Sequence, residues 1–198
     1  MKILLAAASY FLGAFPTGYL LFKLSSRNDI RRFGSGATGA TNVLRLKGWR
    51  LALPVALIDV AKGAAPALVA ARMFGEPGFA SLCASLAVIG HCFPVYIGFK
   101  GGKGVATAAG AMFALAPGPA ALCLAVFILS VVLTRFVSLG SILAASFFPV
   151  FSILLREPRA LILWSIPLVF VILGRHASNI VRLFRGTETP FGQKAASP

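Results

Sequence analysis

Residues 118–155 read GPAALCLAVFILSVVLTRFVSLGSILAASFFPVFSILL, and Arg135 is the single charge in the whole stretch. Two apolar runs, 118–134 and 138–155, flank that arginine, and each matches the ~17–25 residues of helix that cross a hydrocarbon layer. A membrane helix, a basic turn and a second membrane helix is the reading this stretch imposes. Outward from it, breaks in the same texture mark further apolar runs near 3–22, 51–73, 79–99, 104–116 and 160–174. The chain is therefore expected to be all-α, a single membrane-embedded domain over 1–198 with seven transmembrane helices. Composition agrees: 58% of the residues are hydrophobic and the mean hydropathy is +0.88, more apolar surface than one soluble core can hide.

The run 104–116 is short for a span, and only Ala116-Pro117-Gly118-Pro119 separates it from its successor. It is expected to start below the membrane surface. Irregular backbone at that depth is tolerated where protein or a water-filled cavity covers it, so Lys100-Gly101-Gly102-Lys103-Gly104 is expected to line a cavity.

The net charge of +14 sits in the gaps between the runs. Alternate gaps differ sharply: Lys2, Arg72, Arg156 and Arg159 fall on one side, Lys62 lies inside a run, and the other fourteen Lys and Arg, from Lys23 to Lys194, fall on the opposite side. Basic loops stay cytoplasmic, and an odd number of spans then puts the N-terminus outside and the C-terminus in the cytoplasm. A nucleic-acid partner is excluded, because the cations form no continuous face and the aromatics, 17 of them Phe, lie within the apolar runs. The first run carries Pro16 and Gly18, is followed by Lys23 and lacks a small-residue cleavage site, so it reads as a retained helix. Cys83, Cys92 and Cys123 have no metal-ligand spacing and read as packing residues.

Three segments, Arg31 to Arg50, Gly90 to Gly110 and Arg175 to Gly192, break the apolar texture, all on the basic side, and their convergence predicts one site. The first, Gly34-Ser35-Gly36-Ala37-Thr38-Gly39-Ala40-Thr41-Asn42-Val43-Leu44-Arg45, is rich in small residues that let a backbone turn sharply and present N–H groups and hydroxyls to an anion, with Arg45 as a fixed charge. A glycine-rich connecting loop with solvated charges is the plainer alternative. The second runs from Gly90 to Thr107 and places Gly101, Gly102, Lys103 and Gly104 at a helix start, where phosphate is attracted. It is not a nucleotide-hydrolysing phosphate loop: Ile97 stands where the first glycine is required and Gly104 where a magnesium-binding hydroxyl is required. In the third, Arg175 to Glu188, the polar residues His176, Asn179 and Arg182 recur every three positions and share a helical face; anchoring to anionic head groups is the alternative.

Asp59 and Lys62 lie three apart on one helix face at bilayer depth, where charges are expensive. They read either as a self-neutralising structural pair or as substrate contacts. His91 reads as a base, a substrate donor or a buried structural histidine. The chain has only five acidic residues, too few in one place for two-metal phosphate chemistry, so neither a metal nor another cofactor is expected.

These three motifs resemble those of the bacterial acyl-phosphate:glycerol-3-phosphate acyltransferases, the PlsY family: Gly34–Arg45 its first motif, Gly98–Thr107 its second and Arg175–Glu188 its third. The likeness extends over essentially the whole chain. One departure is visible: family members commonly carry Asn at the position of Ala37 and often Pro or Ile at that of Thr38, so contacts of that Asn do not carry over. The His-x4-Asp signature of the other glycerol-3-phosphate acyltransferases is absent, since Tyr96 follows His91 and Val181 follows His176 at that spacing.

The resemblance implies transfer of a fatty acyl group from acyl phosphate to the sn-1 hydroxyl of glycerol 3-phosphate, giving lysophosphatidic acid and inorganic phosphate. A mixed anhydride is already activated, so direct transfer without an acyl-enzyme is expected. Ser35, Gly36, Thr41 and the amides of Gly101 and Gly102 would hold the acyl-phosphate head, with Gly104 opening the following helix. Arg45 and Lys103 would hold phosphate charge, and Asn42, His176 and Asn179 would orient glycerol 3-phosphate or the scissile carbonyl. Asp59, Lys62, Arg182 and Glu188 are further candidate substrate contacts. The resemblance also implies a bacterial inner membrane with the site facing the cytoplasm, lipids around the helices, and the peripheral enzyme that makes acyl phosphate as a candidate partner. A small organophosphate or anion transporter is the rival class, and it needs a polar path through both leaflets.

Overall fold

In the computed structural model, which describes residues 1–193, every regular element is helical among the described residues. Lys194, counted above on the basic side, lies outside them. The helices are α1 (Lys2–Ala14), α2 (Thr17–Ser26), α3 (Ala40–Lys47), α4 (Trp49–Phe74), α5 (Pro77–Cys92), α6 (Val105–Leu115), α7 (Pro117–Thr134), α8 (Val137–Leu154), α9 (Arg159–Arg175) and α10 (Ala177–Phe184), with 3-10 turns at Ile30–Arg32 and Val95–Ile97.

Five segments are long and apolar enough to cross a membrane: Lys2–Ser26, Trp49–Phe74, Pro77–Ile97, Pro117–Thr134 and Val137–Leu154. The pair α9 and α10, bent by 60°, makes a sixth when taken as one broken span. The run expected at 104–116 is the shortfall against seven: α6 is only 11 residues long, because Gly104 at φ +84° ends an irregular loop just before it and Pro117 opens the next helix just after it. The two runs around Arg135 fold as read, their ends displaced by one residue at most, and Arg135 itself closes α7 in the left-handed conformation at φ +63°.

Two intimate helix pairs set the frame. α1 meets α5 where Gly13 abuts the Ala87 carbonyl and Gly90 abuts the Tyr10 carbonyl; α4 meets α6 where Gly63 abuts the Thr107 carbonyl and Gly110 abuts the Val60 carbonyl. A Cβ at any of the four would overlap backbone. In lipid, where the hydrophobic effect gives helices no reason to associate, such small-residue contacts let the backbones approach closely enough for dispersion to hold them. A buried cluster of Val88, Cys92, Ala108, Ala145, Leu168 and Ile172 then joins α5, α6, α8 and α9. A second one, with Phe22, Ile30, Val43 and Val55 at its centre, fastens α2 and α3 to α4. Leu129, Val132, Leu133 and Phe170 are exposed, as lipid-facing side chains must be.

The break between α1 and α2 lies at Phe15-Pro16, where the proline interrupts the helical ladder. Lys62 of α4 donates to the Phe15 carbonyl at 2.9 Å, and its Nζ stands 2.9 Å from Asp59 Oδ1. Both side chains are buried. The pair read as intramembrane charge is thus self-neutralised, and it also serves the backbone that Pro16 leaves open.

Candidate functional site

The first glycine-rich segment folds back on the start of α3. Gly34 and Gly36 take φ of +58° and +71°, a conformation costly for other residues, and so reverse the chain. Asn42 organises the reversal from inside. Its Oδ1 accepts from the Ser35 N–H at 3.0 Å, and its Nδ2 donates to the carbonyls of Phe33 at 3.1 Å and Ala37 at 2.9 Å. Its amide is therefore committed to the loop.

The second segment is held from two sides. Arg175 donates to the Gly102 carbonyl at 3.0 Å and to the Gly101 carbonyl at 2.8 Å, while the Gly102 N–H donates to the His91 carbonyl at 3.1 Å. The expectation of a free Gly102 amide for phosphate is corrected here: that donor is occupied by the end of α5. Lys103 follows, and its Nζ donates to Asn179 Oδ1 at 2.6 Å.

The third segment supplies the other wall. At the kink between α9 and α10, His176 Nδ1 donates to the Ile172 carbonyl at 2.8 Å, so that Nε2 is the acceptor whenever the ring is neutral. Asn179 Nδ2 donates to Glu188 Oε1 at 2.8 Å, Ser138 Oγ donates to the same oxygen at 2.9 Å, and Arg182 Nε donates to Oε2 at 2.7 Å. Burial alone would raise the Glu188 carboxyl, but the three donors together outweigh it and hold the group below its ordinary range. Lys103 moves the other way: burial lowers its ammonium to about 8, with Glu188 opposing and Arg182, Arg45 and Arg175 adding to the fall.

The segments close on one another. Arg31 donates to the Ile97 carbonyl at 2.8 Å, which ties the first to the second, and Arg45 donates to the Thr189 carbonyl at 3.1 Å, which ties the first to the chain beyond the third. Between them lies a cavity of about 340 Å³. The polar part of its lining comprises Ser35, Thr41, Asn42, Arg45, Asp59, His91, Lys103, Ser138, Ser141, His176, Asn179 and Glu188, with Gly104 beside Lys103; the apolar part includes Met112, Phe113, Leu124, Phe127, Ala144 and Ala145 from α6, α7 and α8. Of the candidate residues, Gly36, Lys62, Gly101, Gly102 and Arg182 stand behind the lining. Two contributors escaped the sequence reading. Ser138 is a lone hydroxyl in an apolar run, with no local signal. Arg175 opened the third motif, but its part as a clamp on the glycines shows only once the segments meet.

Residues 3–186 match the family model described as Glycerol-3-phosphate acyltransferase. The chain belongs to that family. It is 38% identical over 193 residues to the glycerol-3-phosphate acyltransferase of Thermoanaerobacter pseudethanolicus (strain ATCC 33223 / 39E), with 97% of this chain and 96% of that one covered. To the glycerol-3-phosphate acyltransferase of Synechococcus sp. (strain CC9902) it is 43% identical over 197 residues, with 99% and 98% covered. The crystal structure of PlsY (YgiH), an integral membrane glycerol 3-phosphate acyltransferase, in its glycerol 3-phosphate form, superposes with a TM-score of 0.93 at 38% identity over 96% of each chain. Its lysophosphatidic acid form superposes with a TM-score of 0.89 at 36% identity, over 96% of this chain and 95% of that one. As a member of the glycerol-3-phosphate acyltransferase family, the chain is a multi-pass membrane enzyme, as its motifs and apolar helices led one to expect.

Proposed function

We propose that this acyltransferase takes its acyl group from acyl phosphate and delivers it to the sn-1 hydroxyl of glycerol 3-phosphate, at the cytoplasmic face of a bacterial inner membrane. One observation carries the reading: a single cavity is lined both by the cations Arg45 and Lys103 and by apolar side chains of α6, α7 and α8. Both substrates bear phosphate and one bears a fatty chain, so the cavity offers cations for the first and apolar wall for the second. The two PlsY structures, described as glycerol 3-phosphate and lysophosphatidic acid forms, support the acceptor and the product as ligands of this site.

In this mechanism the sn-1 oxygen attacks the acyl carbon, the bond from that carbon to the phosphate oxygen breaks, and inorganic phosphate leaves with the bonding pair. Arg45 and Lys103 hold the phosphate charge as it develops, and Ser35 and Thr41 supply hydroxyls beside it. His176 Nε2 and Asn179 orient glycerol 3-phosphate, while Asn42 acts through the loop it organises. The hydroxyl proton passes to a phosphate oxygen or to His176 Nε2. The cationic gaps support a cytoplasmic site, and seven crossings follow if α6 and its loops complete one between them. Transport is disfavoured because both cations of the lining, Arg45 and Lys103, come from gaps on the same side of the chain.

Product analysis tests the proposal. Purified protein is given glycerol 3-phosphate with palmitoyl phosphate, with palmitoyl-CoA as a parallel donor and EDTA in one set. Lysophosphatidic acid from the acyl phosphate alone, unaffected by EDTA, is the expected result. No product from any donor, with a folded preparation, overturns it and makes uptake of glycerol 3-phosphate into liposomes the next measurement.

A further inference from the structure

Gly102 has ordinary backbone geometry, with no positive φ of the kind that demands glycine. The reason for glycine there is spatial. A Cβ at residue 102 would occupy the position of His91 Nε2 and crowd Cε1 and Cδ2 of the same ring. The imidazole is packed flush against the residue that precedes Lys103. Behind the ring, Nδ1 stands 3.7 Å from Asp59 Oδ1, and that oxygen is 2.9 Å from Lys62 Nζ. Lys62 in turn donates to the Phe15 carbonyl at the break between α1 and α2. A continuous line of buried polar groups thus runs from the α1–α2 break through α4 and α5 to residue 102. His91, Asp59 and Lys62 are respectively 6%, 1% and 5% exposed.

Charges at this depth are costly, and the helices of this fold already meet through glycine contacts that need none. A structural ion pair explains Asp59 with Lys62, but it does not explain an imidazole between the carboxylate and the phosphate loop. We infer that His91 and Asp59 are positioning residues for the Lys103 loop: Asp59, anchored by Lys62, orients the imidazole, and the imidazole sets where Gly102, and with it Lys103 Nζ, stands against a bound phosphate. The inference rests on reading the cavity as a phosphate-transfer site. The ring is a spacer of fixed thickness, and moving the loop by the width of a methyl group is enough to misplace a reacting group.

The test uses full-length protein in detergent: wild type, Asp59→Asn, His91→Ala, Gly102→Ala, and His91→Ala combined with Gly102→Ala. For each, kcat and KM for glycerol 3-phosphate are measured with palmitoyl phosphate, together with the rise in melting temperature produced by inorganic phosphate. Each single variant is expected to stay folded, to lose kcat/KM by on the order of 100-fold, and to lose most of the phosphate-induced rise. The double variant is expected to recover at least about tenfold over His91→Ala, because the new methyl group refills the space the imidazole left. Single variants with wild-type kinetics and phosphate response overturn the proposal, as does a double variant whose loss is the product of the two single losses. Failure of Asp59→Asn to fold, a change that alters charge without volume, assigns the pair to stability alone and overturns it too. A wild type without turnover, whose phosphate response is nevertheless lost in the variants, sinks the acyl-transfer reading and leaves the positioning inference standing.

Discussion

Lys103 and Asn42 show how differently two residues of one site act. Lys103 is a charge partly withdrawn from water, lowered to about 8, so its ammonium is largely retained at neutral pH and lost as pH rises through about 8. If that charge holds phosphate, kcat/KM falls above this range by up to about tenfold per pH unit, since kcat/KM reports the free enzyme. A pH profile from 6.5 to about 9.5 checks this, and Lys103→Met is expected to lower the curve and remove its alkaline limb. Asn42 contributes geometry instead. Its Nδ2 faces two carbonyls, so Asn42→Asp, identical in shape, sets a carboxylate against Phe33 O and Ala37 O. That change costs about 3 kcal/mol and removes most activity, and the lowered melting temperature distinguishes it from the loss of a substrate contact. From sequence both were read as substrate contacts, Lys103 to phosphate charge and Asn42 to glycerol 3-phosphate or the scissile carbonyl. Only the partners of each side chain separate them, and those partners lie up to 76 residues away, as in the Lys103 to Asn179 bond.

At the scale of elements, legibility followed apolar length. α7 and α8 were readable to within a residue, because a long run with one charge has few ways to satisfy its backbone in lipid. Three features were not. α3 is an eight-residue helix inside a glycine-rich segment, held by burial of Val43 and Leu46 that no short-range pattern announces. The α1–α2 break was masked by apolar residues on both sides of Pro16, and the partner that makes the break tolerable, Lys62, sits on another helix. The 60° bend at His176 falls within a run of mixed polarity. The short α6 bears most on the site, because it begins at Gly104 beside Lys103 and leans on α4 through Gly63 and Gly110. Gly110→Leu drives α6 from the Val60 carbonyl and carries the lysine loop with it. A fall in melting temperature together with a rise in KM is expected; a fall in melting temperature with unchanged KM refutes the coupling between helix contact and loop.

For the whole molecule, the distribution of Lys and Arg between alternate gaps is the strongest asymmetry of the sequence, and the three motifs, which lie in the basic gaps, contribute to one cavity. A cytoplasmic C-terminus is expected from that distribution. A green fluorescent protein fused there fluoresces if the expectation holds, and an alkaline phosphatase fused at the same point is active if it does not. That the motifs meet was legible from the basic gaps in which all three lie. How they meet was not, because Arg31 on Ile97, Arg45 on Thr189 and Arg175 on the two glycines each join positions far apart in the chain.

The stretch from Glu188 to Phe191 closes the site after the last membrane helix: Glu188 gathers Ser138, Asn179 and Arg182, Thr189 meets Arg45, and the Phe191 N–H donates to the Arg135 carbonyl. Synthesis runs from the N-terminus, so every apolar helix is made before this closing segment. Until then Asn179 has no carboxylate to orient it and the cavity lacks a wall. The site is therefore completed only by the last segment to be made, and a half-made copy lacks part of the cavity's lining.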